Sequence, residues 1–147
     1  MKVLSAGCWV LGAMLLVSGC KTEEKPSAWE IVKGTAILSA SMAVNPDTRA
    51  MIAQYDRTGS ISINADSTIS GQIALAPGLT ANFTGLLTGS GSDLMVQLVG
   101  LNPDSYTVIT SGDYPDTYAL LSTAVFNTDV TGDGVPEQYR IYWQFQR

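Results

Sequence analysis

Histidine is absent from the chain, and basic residues are scarce: eight lysines and arginines stand against thirteen aspartates and glutamates. Without histidine, neither Ser-His-Asp nor Cys-His catalysis is available, and histidine-ligated metals are excluded. The negative net charge argues against nucleic acid as a partner, because that binding depends on cations that neutralise phosphates. The sequence also shows no nucleophile motif and no phosphate-binding loop. We therefore expect the protein not to be an enzyme.

Cysteine is equally scarce. The chain has Cys8 and Cys20 and no other cysteine. Both lie within the first twenty residues, so no disulfide can form in the region that follows them. A region of that length must be stabilised by a hydrophobic core of its own.

The first twenty residues have the pattern of a bacterial export signal. Lys2 is followed by an uncharged run, Val3–Val17, which is too short for a comfortable membrane span. The run ends in Leu16-Val17-Ser18-Gly19-Cys20, which resembles the lipobox of bacterial lipoproteins. The resemblance implies cleavage of residues 1–19 as a signal peptide and lipidation of Cys20.

Lipidation would make the membrane itself a partner of this protein. Lipoproteins of this kind carry two or three acyl chains, which hold a protein far more firmly than one chain does. Lys21 stands where inner-membrane lipoproteins have aspartate, so the resemblance implies the outer membrane, at either its periplasmic face or the cell surface. Residues 20–26 are expected to form a tether, and residues 27–147 a single domain.

The region after the tether predicts an all-β fold. Ser27 and Glu30 fit a capping box for a short helix over residues 28–33. Beyond Gly34, apolar residues alternate with polar ones, which is typical of strands with one buried face. The clearest cases are Ala36, Leu38, Ile61, Ile63, Ile69, Ile73, Tyr139, Ile141, Trp143 and Phe145. Closely spaced turn signals predict an antiparallel meander, and we favour a closed β-barrel over a β-sandwich.

This pattern resembles the small lipocalin-like domains of some lipoproteins, with a tryptophan near the start (Trp29), a meander and an aromatic-rich last strand. The resemblance implies a non-catalytic barrel that binds a small apolar ligand in its interior. The alternative is a structural or protein-interaction module of the envelope, with a filled core and no ligand cavity.

Residues 129–137 form the sharpest motif, Asp-Val-Thr-Gly-Asp-Gly-Val-Pro-Glu. Oxygen ligands at alternating positions, with a glycine for the bend, suit a hard cation such as calcium. The spacing resembles the calcium loops of FG-GAP-type repeats. That resemblance implies a structural Ca²⁺ with ligands from Asp129, Thr131, Asp133, Glu137 and the carbonyl of Val135. An Asp-Gly hairpin turn without metal remains the alternative.

Overall fold

The computed structural model describes residues 32–111 and 114–147, so the predicted signal peptide, Cys20, the predicted tether and most of the predicted helix over 28–33 lie outside the described residues. The described chain is almost entirely β, with one short 3-10 helix at Gly91–Asp93. Its strands are β1 (Gly34–Val44), β2 (Met51–Tyr55), β3 (Gly59–Ile63), β4 (Thr68–Ala76), β5 (Leu79–Thr88), β6 (Met95–Val99), β7 (Ser105–Ser111), β8 (Tyr114–Ser122), β9 (Phe126–Thr128) and β10 (Glu137–Gln146). No helix in this part of the chain is long and apolar enough to cross a membrane.

The strands close into an antiparallel barrel. Successive strands are hydrogen-bonded neighbours, and β1 also pairs with β10, which joins the two sides of the sheet. β2 and β3 pair with different parts of β1, and β8 and β9 pair with different parts of β10. β2 and β3 therefore occupy one strand position of the barrel, and so do β8 and β9. Counted by position, the barrel has eight strands. The predicted all-β meander and its closure as a barrel rather than a sandwich are confirmed.

The barrel has two distinct ends. We call the end where β1 begins and β10 finishes the proximal end. The opposite end, where β1 finishes and β10 begins, is the distal end. Antiparallel pairing places the turn between β3 and β4 at the proximal end and the loop between β9 and β10 at the distal end.

Side chains at alternate positions fill the interior, as the period-two pattern predicts. Trp143 and Phe145 of β10 are both buried. Phe145 stacks on Tyr118, its register partner on the neighbouring strand β8, and Trp143 stacks on Tyr106 of β7, the next strand along. The ring centroids are 5.0 Å apart for Tyr106 and Trp143 and 5.7 Å apart for Tyr118 and Phe145. The lengthwise order of these pairs follows from β10, which runs from the distal to the proximal end. The Tyr106–Trp143 pair therefore lies nearer the distal end.

Glycine makes room for one large interior side chain. Gly71 of β4 is paired with Phe83 of β5. A Cβ atom at Gly71 would collide with the ring of Phe83 and with the carbonyl oxygen of Ser60. The Phe83 ring therefore lies directly over the bare backbone of β4, a close approach that only glycine allows.

Candidate functional site

The loop at residues 129–136 joins β9 to β10 at the distal end of the barrel. Gly132 and Gly134 have φ angles of 81° and 88°. This left-handed conformation costs glycine little and suits the sharp bends of a cation-binding loop or of a tight turn.

Asp129 organises the loop through its carboxylate. Its Oδ1 accepts a hydrogen bond from the Gly132 N–H at 2.6 Å, and its Oδ2 accepts one from the Gly134 N–H at 2.7 Å. These backbone donors, that of Gly134 first, hold the pKa of Asp129 below its ordinary value of 3.8. The carboxylate therefore stays ionised to lower pH than a free aspartate does.

Glu137 and Asp133 hold the other side of the same loop. Glu137 accepts hydrogen bonds from the Val130 N–H at 2.9 Å and from the Thr131 hydroxyl at 2.8 Å. Asp133 Oδ1 accepts one from the Val135 N–H at 2.8 Å. Each carboxylate thus has donors inside the loop, and these bonds stabilise the turn whether or not a cation is present.

The fold brings the three predicted acidic ligands together. One carboxylate oxygen from each of Asp129, Asp133 and Glu137 lies within 4.8 Å of the others. Asp129 and Asp133 are exposed and Glu137 is half-buried, so water has access to the cluster. Thr131 lies beside Glu137 but directs its hydroxyl to that carboxylate. Oxygen ligands at this separation suit calcium.

A second set of polar groups, which the sequence patterns do not reveal, lies inside the barrel. The Ser41 hydroxyl, the Tyr106 and Tyr118 hydroxyls and the Trp143 indole N–H are buried and have no hydrogen-bond partner in the described chain. The Arg140 Nε is also buried and has no hydrogen-bond partner in the described chain. Buried polar groups are nearly always hydrogen-bonded, so these five unpaired atoms need an explanation. Burial raises the pKa of both tyrosines, so their hydroxyls remain protonated donors.

Aromatic side chains of β2, β9 and β10 lie on one side of the distal end, which we call the distal mouth. The rings of Phe126 and Tyr139 stack with centroids 5.5 Å apart, and the Arg57 guanidinium lies 5.0 Å from the centroid of the Tyr55 ring. Burial raises the pKa of Tyr55, with smaller contributions from Tyr139 and Glu137. Tyr139 follows Glu137 by two residues in β10, and its hydroxyl lies 3.2 Å from that of Thr128, so the acidic loop and these aromatic side chains lie near each other.

Comparison with known proteins assigns the chain to no family. No family model matches it, and neither a curated protein nor a solved structure does. Inferences about function therefore depend on the residues and geometry given above.

Proposed function

We propose that this chain is a lipid-anchored envelope protein whose barrel is a non-catalytic binding domain for a small, largely apolar ligand. The observation that supports binding is the difference between the two ends of the barrel. Val32 and Leu94 are fully buried at the proximal end, whereas Leu75, Leu101 and Ile141, which pack on the core from the distal end, are only partly buried. A barrel of eight strands is wide enough to be filled by side chains or to hold one small ligand. A ligand would enter from the distal end.

The place where the described chain enters the barrel is compatible with a lipid anchor at Cys20. Val32, just before β1, lies at the proximal end, so a tether from Cys20 would reach the barrel there. The distal mouth would then face away from the membrane surface. This arrangement applies equally to the periplasmic face and to the cell surface.

The anchor is tested by changing Cys20→Ala in the full chain expressed in a bacterial host. Incorporation of labelled palmitate should be lost, and the protein should remain unprocessed or leave the membrane fraction. Cys8→Ala is the matched control and should label normally, because Cys8 lacks the small residues that precede a lipidated cysteine. Undiminished labelling of the Cys20→Ala protein would disprove the anchor.

Ligand binding is tested with the neutral fluorescent probe N-phenyl-1-naphthylamine. Ile141→Trp should weaken its binding at least tenfold, because the larger ring would obstruct the distal mouth. Ile37→Trp is the control, since Ile37 is 58% exposed on the outer face of β1. Probe affinity that is absent in the parent chain, or equal in the two variants, would contradict an interior site.

The second candidate is a structural or protein-interaction module of the envelope that contains a structural calcium ion. The clustering of three carboxylates within 4.8 Å supports this candidate. A cation at a hundred times its dissociation constant stabilises a fold by about 2.7 kcal/mol, and the melting temperature should rise by several degrees. Asp129→Ala combined with Asp133→Ala should abolish the rise.

Asp66→Ala is the control for this experiment. Asp66 is also an exposed aspartate that orders a turn, but it lies at the proximal end and outside the cluster. Its removal should leave the calcium-dependent rise intact. Equal melting temperatures of the parent chain in millimolar calcium and in chelator would show that the loop is only a turn.

A further inference from the structure

We propose that the ligand carries a carboxylate head, which binds in the distal half of the barrel to Ser41, Tyr106 and Trp143 and pairs with Arg57 at the mouth. This inference depends on the proposed binding function, because it specifies the chemistry of the ligand and the position of its head.

The three uncharged groups lie in one part of the barrel. Ser41 and Trp143 are paired across β1 and β10, and Trp143 stacks on Tyr106 with 5.0 Å between the ring centroids. The exposed fractions of Ser41, Tyr106 and Trp143 are 1%, 0% and 2%. Each has a polar atom without a hydrogen-bond partner. The three polar atoms therefore lie in one region of the distal interior, and an occupant reaches them only when the side chains that fill this region move apart.

All three groups can donate hydrogen bonds, so they suit a ligand group that accepts them. The Trp143 indole N–H can only donate, and the hydroxyls of Ser41 and Tyr106 can donate as well. A buried donor without a partner costs about 1–3 kcal/mol. An oxygen-rich head group would remove that cost at several donors at once, and hydrogen bonds to an ionised acceptor are the stronger kind.

Arg57 favours a negatively charged head over a neutral one. It follows β2, and the Tyr55 ring beneath it belongs to the residue paired with Ser41. In the chain from 32 to 111 and from 114 to 147, Arg57 forms no ion pair. The Arg57 charge acts to lower the pKa of Tyr106, although burial dominates and the net shift is upward.

Two acidic residues also lie near this site. Asp104 contributes to the raised pKa of Tyr106, and Glu137 contributes to the raised pKa of Tyr55. Both carboxylates would therefore oppose a further negative charge at this site. Glu137 already accepts two hydrogen bonds from its own loop. The Asp104 carboxylate accepts one from the Ser105 hydroxyl at 3.3 Å. Both carboxylates thus have local donors, whereas Arg57 has only the ring of Tyr55.

Tyr118 provides an internal comparison. Its hydroxyl is also buried and unpaired, but its partner Phe145 belongs to the proximal part of β10. Val32 and Leu94 are fully buried at that end of the barrel. We therefore assign no ligand contact to Tyr118, and it serves as a control with the same chemistry.

The test compares three probes of equal chain length, hexanoate, hexanamide and hexylamine, on the full chain at neutral pH. Binding is followed by the ¹H–¹⁵N signal of the Trp143 indole, assigned by its loss in Trp143→Phe. Hexanoate should shift this signal and bind about tenfold more tightly than hexanamide, and hexylamine should not bind. Arg57→Gln should remove most of the preference for hexanoate, while Arg147→Gln, the same change of charge at the proximal end, should preserve it.

Removing the hydroxyl of Tyr106 or of Tyr118 distinguishes a ligand contact from a general effect of changing the polarity of the core. Tyr106→Phe should weaken hexanoate binding severalfold, and Tyr118→Phe should leave it unchanged. Equal affinity for hexanoate and hexylamine, or equal effects of the two tyrosine variants, would overturn the inference. If N-phenyl-1-naphthylamine binds the barrel but hexanoate shows no advantage, the carboxylate site fails while the binding function stands. If neither probe binds, both fail.

Discussion

The two ends of the barrel differ in how far they bury the residues that pack on the core. At the proximal end Val32 and Leu94 have exposed fractions of 0% and 1%. At the distal end Leu75, Leu101 and Ile141 keep contact with solvent. The difference follows from strand pairing, because β2 pairs only with β1 and β9 pairs only with β10. β2 and β9 lengthen the barrel at the distal end, but each lacks a hydrogen-bonded neighbour on its other side.

This comparison separates stability from function along the barrel axis. The proximal end contributes buried apolar area, which is the main favourable term in folding. The distal half contains the acidic loop, the aromatic side chains with Arg57, and four of the five buried polar atoms that have no partner in the described chain. The groups to which we assign binding therefore lie toward the end where residues that pack on the core are only partly buried.

The largest expected effect comes from shortening a leucine at each end. Leu94→Ala should lower the free energy of unfolding by about 3 kcal/mol, because a fully buried side chain leaves a cavity when it is removed. Leu75→Ala should cost about 1 kcal/mol, since part of that side chain is already in water. Urea titration of both variants measures the difference. Equal losses would mean that the distal end is as tightly closed as the proximal one.

The second prediction concerns local opening of the two edge strands. Amides of β2 and β9 that bond to β1 and β10 should exchange with deuterium at least tenfold faster than those between β4 and β5, a difference of about 1.4 kcal/mol in opening free energy. The reason is that β4 is bonded on both sides, whereas β2 and β9 are each bonded on one. Uniform protection around the barrel would contradict a weakly closed distal end.

Most of the fold could be predicted from the sequence because its signals are local. Period-two alternation marked β10, and the structure buries Trp143 and Phe145 as that pattern requires. From its residues alone, the segment from Thr48 to Tyr55 fits either a strand or a short helix capped by Asp47, and we favour the strand. Its strand, Met51–Tyr55, is fixed by pairing with β1, and such a long-range contact leaves no local trace.

The candidate sites were predictable to different extents. The acidic loop is contiguous, so its spacing alone brought Asp129, Asp133 and Glu137 together. Ser41, Tyr106 and Trp143 come from three separate strands. Alternation places Trp143 on an inward face, but strict alternation from Ala36 and Leu38 places Ser41 outward. The register shift of β1 between Leu38 and Ala40 turns Ser41 inward, and only the barrel register shows that the three residues are neighbours. Whether a hydroxyl finds a partner depends on all the surrounding strands, which no single stretch of sequence contains.

The smallest expected effect is a pH dependence that compares an aspartate at each end. The pKa of Asp129 is lowered by the backbone donors of Gly134 and Gly132, and that of Asp66 by the hydroxyl and backbone N–H of Thr68. A carboxyl whose pKa is lower in the folded state adds stability above its unfolded pKa, here about 3.8, and that stability is lost as the pH falls through the folded value.

In chelator, Asp129→Asn and Asp66→Asn should therefore each lower the melting temperature slightly at pH 7, and the difference from the parent should shrink between about pH 4 and pH 2. Both groups are fully exposed, so screening by water and salt keeps each effect small. Added calcium should widen the pH 7 difference for Asp129→Asn alone, because Asp66 lies outside the cluster. A difference from the parent that stays constant from pH 7 to pH 2 would show that the loop carboxylate contributes nothing through its charge, and the case for a cation at the distal end would weaken with it.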